Sequence, residues 1–123
     1  MYCKVAFIIY ISQLGDSELD NLIDTINVLP GITEERLYYG LNKVLVDDDF
    51  KFSVFIHESL SSILYKGNLL KELKEKYNLF YELSVKFSDV EDDIMKIQSY
   101  ILSDEINEFI RITDTYYNLD IKD

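Results

Sequence analysis

The clearest pattern of apolar and polar positions lies between residues 59 and 87, where a helical period gives way to strict alternation. Apolar residues recur every three or four positions through Ser59–Tyr77, which predicts an amphipathic helix. Gly67 within it either permits close packing or divides it into two shorter helices. Leu79–Phe87 alternates apolar with polar residues, which predicts a strand with one buried and one solvated face and favours an antiparallel sheet.

The rest of the chain completes an α+β pattern. Tyr2–Ser12 is apolar on both faces and predicts a central strand covered on both sides, or nearly so, and Ser17–Leu29 predicts a helix capped by Ser17. The expected order is β-α-β-β-α-β-β-α-β, with about three helices on a mostly antiparallel sheet in a single domain over residues 1–123. The later predicted elements are a strand Ile94–Leu102 (or a helix over part of it), a helix capped by Ser103 with Tyr117 in its stripe, and a short strand through Leu119 and Ile121.

Between the first helix and Ser59 the sequence predicts a hairpin. Leu41–Val46 and the alternating segment Phe50–Ile56 read as two strands joined across Asp47–Asp49. The preceding segment, Ile32–Gly40, fits either a short helical turn or a loop that leaves Tyr38 and Tyr39 partly exposed.

Composition and charge narrow the classes of function. Hydrophobic residues make up 48% of 123 residues, enough for a core. Twelve basic and 23 acidic residues give a net charge of −11. This charge disfavours direct contact with nucleic acid or anionic membranes and suits a basic protein partner. A need for solubility alone would also explain it. The single cysteine, Cys3, excludes an internal disulfide, and the apolar N-terminal run is too short to span a bilayer, so we expect a cytoplasmic protein.

Three segments resemble a family of small bacterial proteins known only as domain of unknown function 4279. They are the opening strand KVAFIIYIS with the helix SELDNLIDTINVLP, the segment FKFSVFI with HESLSSILYKGNLLKELKEKY, and the ending ILSDEINEFIRITDTYYNLDI. The chain departs from the family pattern in having Phe52 or Phe55 in place of a tryptophan and in ending with Asp120–Asp123 rather than tyrosine. The resemblance implies an α+β domain of bacterial or phage origin without catalytic residues, similar in style to the immunity partners of bacterial toxins.

Candidate catalytic chemistry is sparse. His57 is the only histidine and is expected where a strand meets a helix, beside Glu58, so a pocket there is the alternative hypothesis of a small-molecule-binding or enzymatic domain. A histidine at the start of a helix more often caps the helix or packs against its neighbours. The aspartates at 47–49 lack the spacing of a calcium loop, and no cofactor, metal or nucleotide motif is present.

The acidic clusters are the more informative feature. Helix dipoles explain acidic residues at helix starts such as Glu18 and Asp104, but the sequence gives no such reason for the clusters at 47–49 and 89–93. We therefore predict an acidic, non-enzymatic protein inhibitor, foremost an immunity protein neutralising a toxin or a phage-encoded inhibitor of a host nuclease or defence protein, with a homodimer also possible. The predicted partner-binding residues are Asp47, Asp48, Asp49, Asp89, Glu91, Asp92, Asp93, Tyr38 and Tyr39.

Overall fold

The computed structural model describes residues 1–26, 31–32, 35–46, 48–64, 67–90, 97 and 103–122. Five strands in this part form one sheet in the order β2-β3-β1-β4-β5, antiparallel except for the β4–β5 pair. The predicted α+β class with a mostly antiparallel sheet is confirmed. The elements are β1 (Tyr2–Tyr10), α1 (Asp16–Ile26), β2 (Gly31–Ile32), β3 (Arg36–Leu45), α2 (Asp49–Leu64), α3 (Gly67–Tyr77), β4 (Phe80–Ser88), α4 (Asp104–Thr113) and β5 (Tyr116–Ile121).

The described helices contribute to one core on one face of the sheet. Phe7, at the centre of β1, is fully buried, and its ring centroid lies 5.1 Å from that of Tyr81 on β4 and 5.8 Å from that of Phe109 on α4. Odd-numbered residues of β1 and β4 face this core because side chains alternate along a strand. The helical residues that join them include Leu22, Ile26, Phe52, Ile56, Leu60, Ile63, Leu70, Leu73, Ile106 and Phe109.

The other face of the sheet is not covered by any described helix. The central place of β1 is as predicted, and its second face is apolar at Ala6 and Ile8, which are 5% and 4% exposed. These two residues do not belong to the main core, however. Both are nevertheless buried, so the expected cover on both sides of β1, or nearly so, is confirmed at these positions. We call this surface the helix-free face.

The predicted strand Phe50–Ile56 is wrong, because these residues form the first half of α2. Asp48 precedes the helix, and its Oδ1 accepts a hydrogen bond of 2.7 Å from the backbone N–H of Lys51, the bonding pattern of a helix N-cap. Once the helix begins there, Phe52 and Ile56 fall on its buried face, whereas Phe50 is 76% exposed. A short apolar run fits both periods, and the N-cap favours the helical one.

Arg36–Gly40, the later part of the segment predicted as a helical turn or loop, belongs to β3, so the strand predicted at Leu41–Val46 is real but starts five residues earlier, at Arg36. Phe7 pairs with Tyr39 and Ala6 with Leu41, so Gly40 is the extra residue of a β-bulge. The bulge reverses the alternation of inward and outward positions, which is why no single period-two pattern runs through the strand.

The later predictions are mostly confirmed, with shifted boundaries. The helix predicted over Ser59–Tyr77 is divided between α2 and α3, and α3 begins at Gly67. Ser103 occupies the N-cap position of α4 but forms no side-chain cap hydrogen bond. That helix ends at Asp114, whose φ of 50° is left-handed, so the expected place of Tyr117 in its stripe is wrong.

The final strand is confirmed as β5. The strand predicted over Ile94–Leu102 lies outside the described residues except for Ile97, which is helical and buried.

Tyr117 provides a prediction about stability. In the described part of the chain its buried hydroxyl has no hydrogen-bond partner, and burial raises its pKa to about 12. We expect Tyr117→Phe to raise the free energy of unfolding by about 1 kcal/mol, because it removes a polar group that lost its water on folding. Tyr81→Phe is the matched comparison, since the Tyr81 hydroxyl donates to the Leu70 carbonyl at 2.5 Å and its loss should destabilise. Urea unfolding of both variants measures the difference, and a destabilised Tyr117→Phe would contradict it.

Candidate functional site

The topology brings two of the acidic clusters to the same end of the sheet. Tyr2 at the start of β1 pairs with Leu45 on one side and with Ser88 on the other. Because adjacent strands are about 4.8 Å apart, the ends of β3 and β4 are separated by only about 10 Å. The chain continues from one end into Asp48 and from the other into Asp89, and both side chains are exposed. We call this end of the sheet, with Asp48 and Asp89, the acidic edge.

The local backbone structure favours an aspartate at both positions, Asp48 and Asp89. Asp48 is the N-cap of α2, so the helix dipole accounts for part of the cluster at 47–49, contrary to the expectation from sequence. Asp89 ends β4 with a φ of 55°, a left-handed conformation that aspartate tolerates better than most residues. Both turns thus hold a carboxylate at a fixed position on the acidic edge.

Exposed apolar side chains share this end of the molecule. Phe50, in the first turn of α2, is 76% exposed and directly follows the aspartates. Leu45 is 47% and Tyr2 37% exposed at the same end of neighbouring strands, where the register places both on the helix-free face. Ile121 lies at the same end, because β5 runs parallel to β4 and pairs it with Phe87. Large apolar groups beside charged ones are typical of a protein-binding surface, where the apolar groups are the anchors.

The other predicted partner-binding residues lie elsewhere in the structure or outside its described part. Tyr38 is half-buried on the helix-free face, away from the acidic edge. Tyr39 is 6% exposed in the core, where its ring packs edge-on against Phe7, so its expected exposure is wrong. Asp49 begins α2. The remaining predicted residues, Asp47, Glu91, Asp92 and Asp93, lie outside the described residues.

His57 is not at a junction between strand and helix but on the exposed side of α2. Its side chain is 67% exposed, and its Nδ1 lies 2.5 Å from Oε1 of Glu105 on α4. This contact joins two helices at the surface. The space between α2–α3 and the sheet is filled by the buried side chains of Leu60, Ile63 and Leu70, and this geometry gives no support to a catalytic pocket at His57.

The helix-free face carries a row of rings that sequence reasoning did not find. Tyr10, Phe80 and Tyr116 stand on β1, β4 and β5, with ring centroids 5.3 Å and 6.0 Å apart. The guanidinium carbon of Arg36 on β3 lies 5.4 Å from the Tyr10 ring centroid. Phe80 and Tyr116 are 49% and 57% exposed. We call Tyr10, Phe80 and Tyr116 the aromatic row.

Three lysines form a second row on the same face. Lys4 on β1 pairs with Lys43 on β3 and with Lys86 on β4, so the three stand on adjacent strands. Lys86 Nζ lies 3.8 Å from Asp120 Oδ2, and Lys43 Nζ is 4.9 Å from the ring centroid of Tyr2. We call Lys43, Lys4 and Lys86 the lysine row. The alternation through Leu79–Phe87 places Lys86 on the solvated face, but only the strand register reveals its neighbours.

A shallow groove of about 190 Å³ lies over the sheet between these two rows. Its floor holds the small residues Ala6 and Ser84, and Asn118 and Tyr38 supply polar groups at its sides. Glu82, 8% exposed, accepts a hydrogen bond of 3.1 Å from the Tyr10 hydroxyl. Burial and then this bond raise the pKa of Tyr10.

The described residues show no arrangement of His, Cys, Asp and Glu that would hold a metal ion. In the same part of the chain, no helix has the length and apolar character needed to cross a bilayer. Cys3 is free and fully buried, and desolvation raises its pKa to about 12, so it is a core residue and not a reactive thiol.

Comparison with known proteins finds a partial relative. The chain is 30% identical over 115 residues to a putative BTB/POZ domain and WD-repeat protein of Acanthamoeba polyphaga mimivirus. The match covers 85% of this chain but only 20% of that protein, so the chain spans about a fifth of the relative's length. No protein-family model and no solved structure matches the chain.

Proposed function

We propose that this chain is a protein-binding module that holds a basic partner on its acidic edge. The observation that supports this most directly is the joining of Asp48 and Asp89 with the exposed Phe50 and Ile121 at one end of the sheet. Apolar anchors supply most of the binding free energy at a protein interface, and surrounding charges raise the association rate with an oppositely charged partner. The surface has both, and the chain's net charge of −11 extends the same field.

The specific form of this proposal is an inhibitor, foremost an immunity protein that neutralises a bacterial toxin or a phage-encoded inhibitor of a host nuclease or defence protein, acting in the cytoplasm. An inhibitor needs no catalytic group, because it acts by covering a surface of its target. The exposed His57–Glu105 contact and the filled core beneath α2 and α3 fit this role better than an enzymatic one.

Two variants separate the contributions of charge and apolar contact. The double variant Asp48→Asn, Asp89→Asn keeps the N-cap and tolerates the left-handed φ, because asparagine suits both positions, but removes both charges. We expect it to slow association by about tenfold at low salt with little change in dissociation. Phe50→Ala should instead speed dissociation by about 30-fold, the effect of an interface hot spot.

The measurement is capture of partners from a native lysate on the immobilised wild-type chain, followed by surface plasmon resonance of each captured protein. Asp20→Asn on α1 is the matched control, since it removes one exposed charge away from the acidic edge. The proposal requires a basic protein that binds the wild type and the control alike and is weakened by both edge variants. A partner that binds all of them equally well would show that the acidic edge is not its site.

A further inference from the structure

The lysine row is unfavourable for the free protein. Lys4 stands directly opposite Lys43 on one side and Lys86 on the other, with side chains of like charge about 5 Å apart at Cβ, an arrangement that destabilises a sheet. Among the described residues, Asp120 forms an ion pair with one of the three, Lys86. On the strands of this face, four cationic and two anionic side chains give a net charge of +2, in a chain whose total is −11. Cations concentrated against the overall charge of the chain indicate an anionic ligand.

The spacing of the two rows defines the size of that ligand. Lys4 and Tyr10 are six residues apart on one strand, a distance of about 20 Å. Between them lies the polar groove over Ala6 and Ser84. A ligand that contacts both rows must therefore be extended, carry anionic groups, and present flat surfaces to Phe80 and Tyr116, whose rings are about half exposed.

We propose that the helix-free face binds a short single-stranded nucleic acid, with phosphates on the lysine row and bases stacked on Phe80 and Tyr116. Aromatic side chains on open sheets hold unpaired bases in this way, and basic grooves follow the backbone of the strand. The groove's amide, hydroxyl and carboxylate groups, from Asn118, Ser84 and Glu82, are suited to hydrogen bonds with base edges. This inference goes beyond the proposed function, and it reverses the sequence-based expectation that nucleic acid is not a partner.

An acidic protein segment fits this surface less well. A protein partner needs apolar pockets for its anchors, but the groove is lined mainly by charged and polar side chains. Asp48 does not block a strand on the helix-free face, because it caps α2 in the helical layer on the other side of the sheet. Repulsion from more distant carboxylates is screened over about 8 Å at physiological salt.

The test is fluorescence anisotropy with labelled oligouridine and oligothymidine of about ten nucleotides, a length within the range that one such groove holds. For the wild type we expect saturable binding at about 50 mM salt that weakens as salt is added. The double variant Lys4→Gln, Lys86→Gln should lower the slope of log K against log salt by about 1.4, or about 0.7 for each phosphate contact. Phe80→Ala should weaken binding about 5- to 100-fold without changing the slope.

Matched controls make the result decisive. Lys71→Gln on α3 removes an exposed lysine away from this face and should bind as the wild type does. A duplex of the same sequence and a mononucleotide should both bind much more weakly, because neither offers unpaired bases over about 20 Å. The proposal is overturned by absence of binding at about 50 mM salt, by equal binding of duplex, or by lysine variants that match Lys71→Gln. It is also overturned if an oligoglutamate peptide binds as tightly as the oligonucleotides.

A second readout does not depend on any ligand. If the lysine row is kept for binding at the expense of stability, Lys4→Gln should raise the melting temperature of the free protein, since it removes the central charge of the three. Lys71→Gln should leave the melting temperature nearly unchanged. A lower melting temperature for Lys4→Gln would show that the row stabilises the fold, and the argument from unfavourable charge would then fail.

Discussion

Replacing Phe7 with alanine is expected to lower the free energy of unfolding by about 3 to 5 kcal/mol, the usual cost of truncating a buried phenylalanine. Phe7 is fully buried on the central strand, and its ring contacts those of Tyr39, Tyr81 and Phe109. These contacts join β3, β4 and α4 to β1. Because a small domain is stable by only about 5 to 15 kcal/mol, this one change should leave the protein close to unfolding. Urea denaturation followed by circular dichroism measures the loss.

Phe80→Ala is the control on the opposite face of the same sheet. Its ring also contacts two aromatic side chains, those of Tyr10 and Tyr116, but it is 49% exposed. We expect a cost of less than about 1 kcal/mol, since little apolar surface returns to water. Similar losses for Phe7→Ala and Phe80→Ala would mean that both faces are covered, and would remove the open surface on which nucleic acid is proposed to bind.

The strands with the strongest patterns were predictable from sequence. In β4, strict alternation separates Tyr81, Leu83, Val85 and Phe87, all fully buried, from polar residues on the helix-free face. Alternation reports which way each side chain points, and here the buried face selects a single register. The continuous apolar character of β1 likewise indicated its central place, although it could not show that the described helices all pack on one of its faces.

The failures came from short-range interactions that compete with periodicity. Phe50–Ile56 fits both a strand and a helix, and the hydrogen bond that the Lys51 backbone N–H donates to Asp48 favours the helix. In β3, the bulge at Gly40 exchanges inward and outward positions halfway along, so neither half predicts the other. Both features were present in the sequence as an aspartate and a glycine, but their effect depends on the surrounding fold.

The candidate binding surfaces depend on how the strands pair, whereas the individual helices and strands depend mainly on local sequence. The acidic clusters that contain Asp48 and Asp89 were visible in the sequence, but the meeting of these two residues at one end depends on the antiparallel pairing of β1 with both β3 and β4. The lysine row was invisible for the same reason, since Lys4, Lys43 and Lys86 are far apart in the chain and become neighbours only through strand register. Net charge alone favoured one kind of partner, whereas the distribution of charge over the sheet distinguishes two surfaces.

We expect this protein to lose stability at a lower alkaline pH than a typical small domain does. Burial raises the pKa of the Cys3 thiol to about 12 from 9.0 and that of the Tyr117 phenol to about 12 from 10.0. Nearby Cys3 adds to the effect on Tyr117, and burial also raises the pKa of Tyr81. All three groups keep their protons in the folded chain at a pH at which the unfolded chain has released them.

The direction of the effect follows from proton linkage. Between pH 9 and 12 the folded state binds more protons than the unfolded state, so the free energy of unfolding falls as pH rises. Each group contributes a slope on the order of 1.4 kcal/mol per pH unit within its own window, and below about pH 9 the stability is fully retained. The combined loss reaches several kcal/mol by about pH 11, a large part of the stability of a small domain.

Urea unfolding at pH 8, 9.5 and 11 measures this loss, and substitution assigns it to individual groups. Cys3→Val and Tyr117→Phe each remove one buried titrating group while keeping similar volume, so each should flatten the dependence on pH. Tyr116→Phe is the matched control, since Tyr116 is 57% exposed, and it should leave the slope unchanged. A free energy of unfolding that stays constant from pH 9 to 11 would contradict the burial of these groups and, with it, the packing of β5 and β1 beneath the helices.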